Sequence, residues 1–117
     1  MIGEIWTFKA TNPNDNIEKS RPILIIGDDG KNNLKYVDIH YVIISSSADC
    51  GKYDVELSEK EARELGLERK SVIKTTKIYT GSKSKLGNKI CELSEKKKAE
   101  FKEKYRNYQN KLIEEFI

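Results

Sequence analysis

Ser20-Arg21-Pro22-Ile23-Leu24-Ile25-Ile26-Gly27-Asp28-Asp29-Gly30 is the stretch on which the fold turns. Its centre, Pro22 to Ile26, is an unbroken apolar run rich in β-branched side chains and closed by two glycines and two aspartates. That pattern reads as a strand buried on both faces. Pro22 suits only its first position, because proline brings no N–H to a ladder.

The flanks extend the same reading. Towards the N-terminus, Ile2 to Phe8 alternates loosely around Ile5, Trp6 and Phe8, then meets the turn formers Thr11-Asn12-Pro13-Asn14-Asp15-Asn16, so a strand runs into a long loop. Trp6 is read as core. Towards the C-terminus, Tyr36 to Ile44 is a third strand that stops abruptly at Ser45-Ser46-Ser47-Ala48-Asp49. Tyr53 to Leu57 alternates strictly and hands over to Ser58-Glu59-Lys60-Glu61, the capping box of a helix that Gly66 ends. Ser71 to Tyr79 is again strand-like, and Lys89 to Leu93 is a last short strand after the turn from Gly81 to Gly87. Ser94 caps a long terminal helix, on which Phe101, Tyr105, Tyr108, Leu112, Ile113 and Phe116 mark one face expected to pack on the sheet.

The spacing predicts a mainly β (α+β) protein: five to six short antiparallel strands in a small barrel, a short internal helix and a long C-terminal one. With 117 residues there is room for one domain, 1–117. The hydrophobic share, 37%, is lean, yet its clustering with aromatic residues argues against disorder.

Lys and Arg total 22 against 19 Asp and Glu, a net charge of +3 that alone implies no polyanionic partner. The distribution says more: residues 1–50 hold 5 basic and 7 acidic side chains, and residues 51–117 hold 17 and 12. From Arg69 to Lys89, seven cations (Arg69, Lys70, Lys74, Lys77, Lys83, Lys85, Lys89) succeed one another without an Asp or Glu. Such a run complements phosphates or forms a solvated face, and composition leans to the second. Cys50 and Cys91 are far apart, with no Cys/His cluster, which fits free thiols in a reducing cytoplasm rather than zinc or a disulfide. Neither a leader-like start nor a membrane-length apolar stretch occurs, so a cytoplasmic protein without membrane contact is expected.

Familiar catalytic templates fail. His40, the only histidine, lies mid-strand on the polar side, and there is no glycine-rich phosphate loop or H-E-x-x-H spacing. No metal and no cofactor are expected. There remains Arg21, where a loop enters a buried strand, together with the serines at the end of another. An arginine fixed at such a junction binds phosphate bidentately and stabilises charge that develops in phosphoryl transfer. The alternative is a surface arginine that closes a strand.

Taken in order, Gly3-Glu4-Ile5-Trp6, Ser20 to Ile26, Val42-Ile43-Ile44-Ser45-Ser46, Tyr53 to Leu57 and Gly66-Leu67-Glu68-Arg69-Lys70-Ser71-Val72-Ile73 resemble the MazF/PemK family of toxins from bacterial toxin-antitoxin modules. The resemblance implies an SH3-like barrel, a homodimer, an antitoxin partner that occludes the RNA groove around Arg21 and the Thr11–Lys19 loop, and metal-independent endoribonuclease activity on single-stranded RNA. It implies a catalytic pair of Arg21 with one of Ser45, Ser46 or Ser47, of which Ser46 is the first choice and Ser45 the second. In the implied reaction the ribose 2′-hydroxyl attacks the adjacent phosphate. Arg21 stabilises the phosphorane-like charge, a role that suits its high pKa better than proton donation. Lys74, Thr76, Lys77, Tyr53 and Ser47 are the implied RNA contacts, and Thr76 stands where some members carry a carboxylate base. Tyr41 and Tyr79 also offer rings for bases, although strand aromatics are more often core. A different class of function stays open: the barrel of the CcdB toxins poisons gyrase by protein contact, and a non-catalytic relative can bind RNA without cutting it. A small structural barrel is the bland third reading.

Overall fold

The computed structural model describes residues 1–11, 16–29 and 38–116. Six strands run β1 Glu4–Thr11, β2 Glu18–Asp28, β3 Ile39–Ser45, β4 Val55–Leu57, β5 Ser71–Gly81 and β6 Leu86–Glu92, with helices α1 Glu59–Glu64 and α2 Glu95–Phe116. They form one antiparallel sheet in the order β4-β5-β3-β2-β1-β6. Register shifts between Ile25 and Gly27 on β2 and between Val42 and Ile44 on β3 bend it into a curled half-barrel.

β2 lies between β1 and β3, and Ile23, Leu24 and Ile25 are 2%, 1% and 0% exposed. Alternation sends Leu24 into one apolar cluster with Ile5, Val42, Ile44, Val55, Leu57 and Ile73, while Ile23 and Ile25 join Phe8, Ile39 and Tyr41 in another. Fully burying one such aliphatic side chain is worth ~1.5–3 kcal/mol, so one strand supports both clusters. The helices cover the first face, to which α1 gives Ala62 and α2 packs Phe101. On the second face Gly81 lets the rings of Phe8 and Tyr41 approach, since a Cβ there would sit 2.9 Å from Phe8 and 3.2 Å from Tyr41.

Several boundaries differ from the expectation. β1 runs on to Thr11, into the turn formers. β2 starts at Glu18, which makes Pro22 internal. There β2 pairs with β1 alone, β3 joining at Ile23, and a strand with one free side tolerates proline. β3 starts at Ile39; the Tyr36 and Val37 of the expected strand lie outside the described residues. Trp6 is only half-buried, packing beside the second cluster with its indole N–H donated to Glu4 at 2.9 Å.

Candidate active site

β3 ends beside the start of β2, and that end of the sheet assembles the site. The β2–β3 ladder begins at Ile23 and Ile43, and Arg21 and Ser45 each lie two residues beyond that pair, at the same end of the sheet. Around them opens a cleft of about 530 Å³. Ser20, Arg21 and Pro22 form the β2 wall, and Ser45, Ser46 and Ser47 form the β3 turn. The link from α1 to β5 closes the cleft with Gly66, Leu67, Glu68 and Arg69. Gly66 adopts φ +87° as α1 ends, a conformation that favours glycine and carries the chain towards the cleft.

Inside the cleft the polar groups divide into those engaged and those free. Ser45 Oγ accepts from the backbone N–H of Ala48 at 3.1 Å and of Ser47 at 3.3 Å, so this hydroxyl folds the turn. Ser46 is exposed and its hydroxyl has no hydrogen-bond partner among the described residues. Arg21 is exposed and makes neither a hydrogen bond nor an ion pair among them. A guanidinium and a hydroxyl left open in one cleft can together hold a tetrahedral oxyanion.

The expected RNA contacts on β5 and just before β4 lie elsewhere. Lys74 is 16% exposed, pairs with Asp54 at 2.6 Å and donates to the Asp49 carbonyl at 3.1 Å, so it closes the loop before β4. Tyr53 packs on Tyr108 of α2 with ring centroids 5.4 Å apart. Thr76 and Lys77 fall where β5 advances five positions, from Ile73 to Ile78, while β3 advances two. None of these four lines the Arg21 cleft. Buried Tyr41 stacks at 5.8 Å on Tyr79, which is exposed, and burial first, then Tyr79, pushes the Tyr41 phenol up.

Glu68 and Arg69 line the cleft without being among the site residues that the resemblance implies, although Arg69 opens the basic run. They stand in the Gly66–Ile73 stretch directly after the helix-ending glycine, a position that signals a loop returning to the sheet. Two other features bring no predicted site residue together. His40 Nε2 pairs with Asp29 near the start of β3, ~16 Å of strand from Ser45. A larger cleft of about 670 Å³ between α2 and β2 is mainly apolar, lined by Ile2, Ile26, Phe101 and Tyr105. Cys50 and Cys91 are free. No helix among the described residues is long and apolar enough to cross a membrane.

The fold is similar to that of the Mycobacterium tuberculosis toxin MazF-mt6, with TM-score 0.70 and 18% identity over 92% of this chain and 96% of that one. No curated protein matches the sequence. Residues 2–107 match the family described as the PemK-like, MazF-like toxin of type II toxin-antitoxin systems. That match takes in β1 through β6 and the Arg21 and Ser45–Ser47 walls of the cleft, and by it the chain belongs to the PemK-like, MazF-like toxin family.

Proposed function

We propose that this protein is an endoribonuclease that cuts single-stranded RNA at specific short sequences without a metal ion, as one domain over residues 1–117. The observation that carries the reading is the Arg21 guanidinium, unpaired among the described residues, sharing a cleft with the Ser46 hydroxyl, likewise free among them. The 2′-oxygen of a ribose attacks the adjacent phosphorus and the bond to the 5′-oxygen breaks, which leaves a 2′,3′-cyclic phosphate and a 5′-hydroxyl. One proton leaves the 2′-oxygen and one reaches the 5′-oxygen, so no co-reactant is consumed. Arg21 stabilises the charge on the phosphorane, and Ser46 orients the non-bridging oxygens. Ser45 holds the turn that carries Ser46, and Ser47 sits beside them.

The reading includes a cytoplasmic setting, a homodimer and an antitoxin protein that inhibits by covering the cleft, as type II toxins require. Purified wild type and Arg21→Ala are incubated with mixed-sequence single-stranded RNA in EDTA, and the new ends are mapped. Cyclic-phosphate ends made by wild type and lost in Arg21→Ala are the expected result. Absence of cleavage by folded wild type at every salt concentration overturns the reading and moves the function to a binding toxin.

A further inference from the structure

Ion pairing sorts the cations between Arg69 and Lys89. Lys70 lies 2.7 Å from Glu56, Lys74 2.6 Å from Asp54, Lys83 2.9 Å from Asp28 and Lys89 3.0 Å from Glu4. Arg69, Lys77 and Lys85 make no ion pair among the described residues. Of these three, Arg69 alone lines the cleft that holds Arg21 and the serine turn. Its backbone is held firmly, because Ser71, itself 5% exposed, donates its hydroxyl to the Arg69 carbonyl at 2.9 Å. Its side chain stays exposed. Arg21 comes from β2 and Arg69 from the α1–β5 link, so two guanidiniums enter one cleft from different elements. Glu68 is the one carboxylate among the described residues lining the cleft, and it pairs with neither of them.

Two guanidiniums without an ion pair among the described residues, in one cleft, favour a ligand that presents more than one anion, and a nucleic-acid backbone does so with successive phosphates. We propose that Arg69 is a second phosphate-binding residue, which grips a backbone phosphate of single-stranded RNA other than the scissile one at Arg21. It positions the strand and takes no part in the bond changes. This inference rests on the ribonuclease reading for its substrate class, but its test does not need cleavage.

Binding of a mixed-sequence 2′-O-methyl RNA oligonucleotide, which has no free 2′-hydroxyl to attack with, is monitored by fluorescence anisotropy across a salt series. Arg69→Gln is expected to weaken binding about fivefold to tenfold at low salt and to lower the slope of log K against log salt by ~0.7, one phosphate's worth of released counterions on a single strand. Arg69→Lys restores most of that slope, because the charge is retained. Lys85→Gln, which removes an exposed unpaired cation outside the cleft, leaves both quantities unchanged. With cleavable RNA, Arg69→Gln raises KM and holds kcat within about twofold, whereas Arg21→Ala lowers kcat. Unchanged affinity and slope in folded Arg69→Gln overturn the inference, as does wild type that does not bind the oligonucleotide. If wild type binds the oligonucleotide but does not cut cleavable RNA, and Arg69→Gln still lowers the slope, the ribonuclease reading falls and the phosphate role of Arg69 stands.

Discussion

Three serines in a row look alike in sequence, and the hydrogen bonds of the turn separate them. Ser45 Oγ accepts two backbone N–H groups, whereas Ser46 has none to hold. Ser45→Ala is therefore expected to cost about 1 kcal/mol of stability as well as activity, the usual scale for one side-chain-to-backbone hydrogen bond. Ser46→Ala is expected to leave the melting temperature unchanged and lower only cleavage; equal melting losses in both variants would contradict this division. Lys74 stands out in the sequence for its charge, but its role depends on Asp54, whose carboxylate is 3% exposed. Lys74→Ala leaves that buried carboxylate its Gly51 N–H at 2.8 Å but no counter-charge, and is expected to destabilise by ~3 kcal/mol, which thermal unfolding reads directly. A full-strength fold with lost RNA binding would instead make Lys74 an RNA contact. Thr75 is wholly buried and its hydroxyl has no hydrogen-bond partner among the described residues. Thr75→Val removes that unpaired group in nearly the same shape, so the melting temperature is expected to hold or rise.

At the scale of elements, the short α1 depends on its ends. Ser58 accepts from the Glu61 N–H at 3.2 Å and Glu61 Oε1 accepts from the Ser58 N–H at 3.0 Å, completing the capping box read from the sequence. The Ser58 N–H, reinforced by Lys97 of α2, holds the Glu61 carboxyl down to about 2 from its ordinary 4.5. A carboxyl depressed on folding adds stability that is complete above its unfolded value and is lost as pH falls from about 4.5 to about 2. Glu61→Gln is thus expected to unfold more easily than wild type at neutral pH, with the difference narrowing as acid titrations pass through that window. A gap of constant size across the titration would refute the assignment. α2 shows where an apolar stripe stops being informative. Phe101 packs on the core and Tyr108 meets Tyr53, but Leu112, Ile113 and Phe116 are 40%, 61% and 92% exposed. The periodicity continues past the surface it was expected to cover, because a stripe specifies a face and not what lies opposite it.

For the whole molecule, the net charge of +3 conceals an arrangement in which most of the basic run is neutralised in place. RNA affinity is therefore expected to fall with salt at a shallow slope of ~1–2, the value for the few phosphates that Arg21 and Arg69 can meet. A slope several times larger would mean that the paired lysines open to take RNA. The end of α2 makes a second test: a chain stopped after Lys111 loses only side chains exposed among the described residues, so its melting temperature is expected to stay within ~2 °C of the full chain, well under the shift from one large core deletion. Local chemistry determined much of this protein. An unbroken apolar run at Ile23 to Ile26 must be covered on both sides, and a Ser-x-x-Glu before a short periodic segment must start a helix; each is dictated by residues within a few positions of one another. The entry of Arg69 into the cleft of Arg21 and Ser46, and the withdrawal of Lys74 and Tyr53 into structural contacts, were settled only by tertiary structure. Those outcomes depend on the β2–β3 register, the bulge in β5 and pairings across twenty or more residues, and no local pattern encodes which distant carboxylate will reach which cation first.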